Sequence, residues 1–243
     1  MKRLIAWVLV LTLIFSCLPE GFAEQAETGD SGYVAVQTEN GTTLRDQVIR
    51  QTLVLTDEDS LYLDGVIATN GNGIRVEGGN HVISRDAVIK GDIVISGPCD
   101  LRVDGLVEGD IRIDCPAWEA NDPRHAEYAE KGLQSEVSLQ IGEHAVVHGI
   151  TGTNFMGYIE ILGNVTNLSF DTANDRGGEY LSNGWVSING NAYVYDIHCQ
   201  GDVCPGIEAG GNSLVSSILV DGHSFVSVDS TLPLCHGVLG RIR

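Results

Sequence analysis

Val88-Ile89-Lys90-Gly91-Asp92-Ile93 and Leu106-Val107-Glu108-Gly109-Asp110-Ile111 share one pattern at an offset of about 18 residues, the length of one coil of a three-sided β-solenoid. Ile74-Arg75-Val76, Ile93-Val94-Ile95 and Ile111-Arg112-Ile113 recur at nearly the same offset. Alternation along a strand turns the two outer residues of each triplet to one face. Around them, Leu61-Tyr62-Leu63, Val66-Ile67, Val82-Ile83 and Leu101-Arg102-Val103 are short apolar units separated by Gly, Asn and Asp. That punctuation forbids helices and supplies corners at which positive φ is allowed, while β-branched residues suit the strands between. The sequence therefore predicts an all-β chain, a right-handed parallel β-helix. A β-sandwich is the alternative, because many short strands with glycine turns build that fold too.

The repeats set the organisation. Residues 24–41 are polar and unrepeated and read as a flexible lead-in. From Thr42 to Arg50, Leu44, Val48 and Ile49 fall on one helical face behind a Thr able to cap, so 42–59 is expected to cover the open N-terminal end, with repeats starting near Ser60. Over 116–137 the pattern breaks for a short helix, signalled by Asp122-Pro123 before it and Gly132 after it. Leu139-Gln140-Ile141 and Val146-Val147-His148-Gly149-Ile150 resume the earlier units, and Ile159-Glu160-Ile161, Val186-Ser187-Ile188 and Ile218-Leu219-Val220 continue them in less even coils. The solenoid is thus expected over 42–243. Its last residues, Val238 to Arg243, read as strand without a polar cap, which predicts self-association through the C-terminal end or further coils in a longer parent.

Residues 1–23 read as a secretory signal: Lys2 and Arg3 precede an apolar run, Leu4 to Phe15, too short to span a bilayer, and Gly21 and Ala23 fit a cleavage site ahead of Glu24. The alternative is a lipoprotein anchored at Cys17, for which Phe15 is a poor match to the lipobox. The destination is a secreted or cell-surface location on a bacterial envelope. No later stretch is apolar enough to cross a membrane.

With 14 Lys and Arg against 33 Asp and Glu, the chain carries a formal charge of −19. Such a surface repels polyanions, which excludes nucleic acid as a partner class and leaves a glycan or another uncharged or cationic cell-envelope component. Of six cysteines, Cys17 departs with the signal. The odd remainder offers bridges between Cys99 and Cys115, on neighbouring coils, and between Cys199 and Cys204, across a short loop, with Cys235 left over. The competing reading is that they are buried thiols packing the coil interior.

The run Leu139-Gln140-Ile141-Gly142-Glu143-His144-Ala145-Val146-Val147-His148-Gly149-Ile150, with Ala87-Val88-Ile89-Lys90-Gly91-Asp92-Ile93, resembles the repeats of bactofilins, polymer-forming right-handed β-helix proteins of bacteria. Residues 42–67 resemble the start of secreted β-helix adhesins, where a Thr-Leu-Arg-Asp stretch precedes the first coil. The resemblance implies a β-helix and an adhesin-like role. The leader, cysteines, insertion and uneven coils depart from bactofilins and speak against a cytoskeletal polymer.

Several constellations invite chemistry. Asp92 and Asp110 follow matching glycines one coil apart, where they serve as turn residues or, facing one another, hold calcium or act as an acid/base pair, with Arg112 the adjacent base. No other cofactor is called for. His144 and His148 have the spacing of a helical zinc pair, but strand spacing would set them about 13 Å apart. Asp171, Asn174, Asp175 and Glu179 form an acidic loop outside the EF-hand pattern, and Trp118 and Tyr128 offer rings for a sugar or for packing. Polysaccharide lyases and polygalacturonases work on one outer face of a β-helix, yet none of their signatures appears. The expected function is an exported structural or adhesive module, with a small carbohydrate-active enzyme of lyase or glycoside-hydrolase type as the alternative.

Overall fold

A computed structural model describes residues 26–27, 35–38, 41–49, 51–58, 60–69, 73–115, 122–133, 135–153, 157–172, 184–201, 205–222 and 226–228. Two short strands come first, β1 (Ala26–Glu27) and β2 (Ala35–Thr38). Four coils follow, built from β3 (Gly41–Val48) and β4 (Leu53–Leu55), then β5 (Leu61–Ala68) and β6 (Ile74–Val76), then β7 (Asn80–Ile83), β8 (Val88–Lys90) and β9 (Ile93–Ile95), then β10 (Cys99–Val103) and β11 (Leu106–Ile113). After helix α1 (Arg124–Glu130) come four more: β12 (Val137–Ile141) and β13 (Val146–Thr153), β14 (Gly157–Ile161) and β15 (Asn164–Thr172), β16 (Trp185–Ile188) and β17 (Tyr193–Gly201), and β18 (Gly206–Ala209) and β19 (Leu214–Gly222). β20 (Val226–Val228) opens the next coil.

The strands stack in parallel into three walls. Wall A is threaded in register by Leu44, Leu63, Ile83, Val103, Ile141, Ile161, Ile188 and Ala209. Wall B carries Ile67, Ile89, Val107, Val147, Val165, Val194 and Val215. Wall C carries Val76, Ile95, Ile113, Gly152, Phe170, Cys199 and Val220. Nearly all are buried and belong to one continuous core. Phe170 is the bulkiest of the fully buried side chains among the described residues, and its register partner on the preceding coil is Gly152, which contributes no side chain of its own. The predicted offset holds: Ile74, Ile93 and Ile111 are register partners on successive coils. Parallel stacking rules out the β-sandwich, whose sheets are antiparallel.

The N-terminal cap departs from expectation. The helix predicted over Thr42–Arg50 is strand β3, already the first coil, paired in parallel with β5. Asp46, at φ 51°, forms a bulge between Arg45 and Gln47, so the phase of alternation shifts and Leu44 and Ile49 both point inward while Val48 is exposed. β1 and β2, within the expected lead-in, provide the cover: β2 pairs antiparallel with the outer edge of β3 and β1 with β2. Pairing satisfies an edge that would otherwise template aggregation.

The insertion is helical, as predicted. Asp122 Oδ1 accepts the Arg124 N–H at 2.9 Å, and the exit is a Schellman turn: Gly132, at φ 69°, donates to Ala129 O and Leu133 to Tyr128 O. None of its residues is buried. It reaches the solenoid through Lys131, 3.8 Å from Asp57.

Candidate functional site

The Gly-Asp repeats form an interlock between coils. Carboxylates lie against glycines of the following coil: Asp46 against Gly65, Asp92 against Gly109, Asp104 against Gly142 and Asp110 against Gly149. A Cβ at any of those glycines would occupy the carboxylate's space. Two of these carboxylates also bond the next coil's backbone, Asp46 Oδ1 accepting the Val66 N–H at 2.8 Å and Asp92 Oδ1 the Asp110 N–H at 3.0 Å. Glycine at 109 is therefore dictated by the Gly91 carbonyl together with Asp92 one coil earlier, and glycine at 149 by Asp110.

This corner brings Asp92, Asp110, Arg112 and His148 together as a string of pairs. Arg112 Nη2 donates to Asp92 Oδ2 at 2.8 Å, and His148 Nδ1 lies 2.8 Å from Asp110 Oδ1. Calcium takes about six to eight oxygen ligands, whereas both Asp92 oxygens are already bonded to protein donors. Among the described residues, no group of three or more His, Cys, Asp or Glu is placed to hold a metal ion. His144 sits in the turn between walls A and B, away from the pair made by His148. Asp171 ends wall C opposite Gln200; Asn174, Asp175 and Glu179 lie outside the described residues.

Two buried polar groups tie the early coils. Asp64 receives the Ser84 hydroxyl at 2.6 Å and an ion pair from Arg45. The Ser84 bond holds its carboxyl below the usual range; burial opposes this and Arg45 reinforces it. His81 accepts the Leu61 N–H on Nδ1 at 3.2 Å, which fixes Nε2 as the donor to Gly78 O at 2.7 Å.

The cysteines pack the interior. Among the described residues no disulfide is present, and Cys99 is a buried thiol. The register explains why it is not bridged to Cys115: Ile113 stacks on Ile95, which carries Cys115 towards position 97, while Cys99 is matched with Val137. Burial pushes the Cys99 thiol far above its ordinary value, with Cys115 adding to it, and pushes Cys115 up to about 11, with Asp114 adding to it. Cys199 is buried on wall C; Cys204, Cys235 and Trp118 lie outside the described residues. Tyr128 stands on α1 with Lys131 Nζ 6.0 Å from its ring centre.

The outer walls hold what sequence reasoning missed. On wall A, Tyr158 and Trp185 are register neighbours on adjacent coils, and Trp185 faces Gly206 on the next. The six-membered ring of the indole fills the space a side chain at 206 would need. Two residues further along the same strands runs the polar row Gln140, Glu160, Ser187 and Glu208, in which Gln140 donates to Glu160 Oε2 at 2.6 Å. The signal was present in the alignment of Ile159-Glu160-Ile161 with Val186-Ser187-Ile188, each preceded by an aromatic residue.

No protein-family model matches the chain, and no curated protein or solved structure matches it either.

Proposed function

We propose that the chain is an exported structural and adhesive module of the cell surface or extracellular space. The observation that carries this reading is the use made of the carboxylates. Those best placed for acid–base or metal chemistry, Asp64, Asp92 and Asp110, are bound up in holding one coil to the next, so side-chain chemistry goes into the rigidity of a rod whose outer walls remain for contact. The leader-like residues 1–23 support export. Among the described residues no helix is long and apolar enough to cross a membrane.

Expression of the full chain in a bacterial host, with intact-mass analysis of the exported product and protease accessibility on whole cells, tests the reading. A product starting at Glu24, or a lipidated one at Cys17, that is accessible outside the cell supports it. Retention of the whole chain in the cytoplasm would remove it.

A second reading, a small carbohydrate-active enzyme, draws on one geometric fact. Glu160 and Glu208 face the same way on wall A, two coils apart. Strand spacing puts their backbones roughly 9 to 10 Å from each other, near the carboxylate separation used by inverting glycosidases. Release of reducing ends from polysaccharide by the purified chain, abolished by Glu160→Gln, would establish this reading in place of the structural one.

A further inference from the structure

We infer that wall A carries a binding site for an uncharged glycan, with sugar rings stacked on Tyr158 and Trp185 and hydroxyl groups bonded to Glu160 and Glu208. The inference deepens the adhesive reading and rests on it. Its first support is the placement of the aromatics. The rod fills its interior with aliphatic side chains and Phe170, yet Tyr158 is 42% exposed on a coil directly beside Trp185. Packing of the core does not explain the exposed Tyr158 ring.

The second support is Gly206. Its missing side chain lets the indole extend over the following coil, so the aromatic surface runs along the rod across three successive coils. Such a strip suits a linear polymer of rings. A sugar has an apolar C–H face and a hydroxyl rim, which fits an aromatic surface with polar groups at its side.

The third support is the row beside the strip. The Gln140 amide holds Glu160 Oε2 at 2.6 Å, which orients that carboxylate and leaves lone pairs to accept from a ligand hydroxyl. Glu208 stands exposed two coils on. The cations of this wall among the described residues, Arg45 and Arg102, are turned onto Asp64 and, at 2.7 Å, Asp104. The wall therefore presents acceptors and negative charge, which admits a neutral polyol and repels uronates and phosphates.

Calorimetric titration of the purified exported chain with cellohexaose, chitohexaose, mannohexaose and, as the anionic comparison, hexagalacturonate tests the site. Saturable binding of at least one neutral hexasaccharide is expected, weakened about ten-fold or more by Tyr158→Ala, the scale of losing an aromatic anchor. Glu160→Gln weakens it too, and Tyr128→Ala on α1 leaves it unchanged. Circular dichroism confirms that each variant keeps the β-fold. No heat from any neutral sugar up to about 10 mM, equal affinity in Tyr158→Ala, or preference for hexagalacturonate would overturn the inference. Beads coated with wild-type or Tyr158→Ala chain, presented to polysaccharide and to whole cells, separate the two levels. Equal adhesion of both refutes the site and leaves the adhesive reading standing, whereas adhesion of neither refutes the adhesive reading.

Discussion

Gly149→Ala should be costly in the wild-type chain and harmless once Asp110 is gone. A Cβ at 149 would lie 2.6 Å from Asp110 Oδ1 and 3.3 Å from its Cγ, while the nearest backbone atom, Asn167 O, is 3.8 Å away. The obstacle is thus one side chain. In the wild type, Asp110 must swing aside and give up its contact with His148, a pair whose side chains are 32% and 60% exposed and which, screened by solvent, contributes no more than about 1 kcal/mol. Displacing packed neighbours costs about 1 to 3 kcal/mol more. Against this, Gly→Ala at a position without positive φ restricts the unfolded chain and stabilises by about 0.4 to 1 kcal/mol. The net loss is roughly 1 to 3 kcal/mol, or several degrees in Tm for a chain of this size. In an Asp110→Ala background only the last contribution survives, so adding Gly149→Ala should be neutral or slightly stabilising. A thermal-melt double-mutant cycle reads the coupling directly. The same cost in both backgrounds would refute the interlock.

Three further outcomes follow from the same packing. Ile111→Asp buries an unpaired carboxylate at a fully buried position and should unfold or severely loosen the rod, whereas Arg112→Asp disturbs only the exposed pair with Asp92 and should shift Tm by a few degrees at most; equal damage would mean strands buried on both faces. Because the folded Asp64 carboxyl lies below its unfolded value, its contribution is complete above an unfolded pKa of about 3.9 and is lost as pH falls through the folded value. The Tm difference between wild type and Asp64→Asn should therefore be large at pH 7 and shrink below about pH 4; a pH-independent difference would contradict this. Cys99, buried and with a raised pKa, should resist iodoacetamide in the native protein and label on unfolding, as peptide mapping would show.

The middle coils were legible because no insertion intervenes between Val88 and Ile113: the offset of the Gly-Asp units is the register itself. The first coil was not. Leu44, Val48 and Ile49 have helical spacing, and only the bulge at Asp46 reconciles the burial of Leu44 and Ile49, and the exposure of Val48, with a strand. The Gly-Asp pairs were recognised as turn chemistry, but the dependence of Gly149 on Asp110 one coil earlier is a contact between coils that a linear reading does not display. Between Cys99 and Cys115 the spacing and the register of coils three and four differ by a small mismatch, and no disulfide is present among the described residues. Tyr158 and Trp185 went unseen as a pair because the stretch of sequence between them is longer than the offset of the earlier repeats, which hides their alignment.

The central claim, an in-register parallel stack, is tested most directly by paired cysteines on the outside of wall C. Val94 and Arg112 are register partners on adjacent coils, and Thr151 is the partner of Arg112 on the next coil. Strands one coil apart stand about 4.8 Å from each other, within disulfide reach, while two coils set Val94 and Thr151 roughly 9 to 10 Å apart, beyond it. Mild oxidation followed by peptide mapping should give a 94–112 disulfide in Val94→Cys/Arg112→Cys and none between 94 and 151 in Val94→Cys/Thr151→Cys. A readily formed 94–151 bridge, or failure of 94–112 in a folded protein, would contradict the stack.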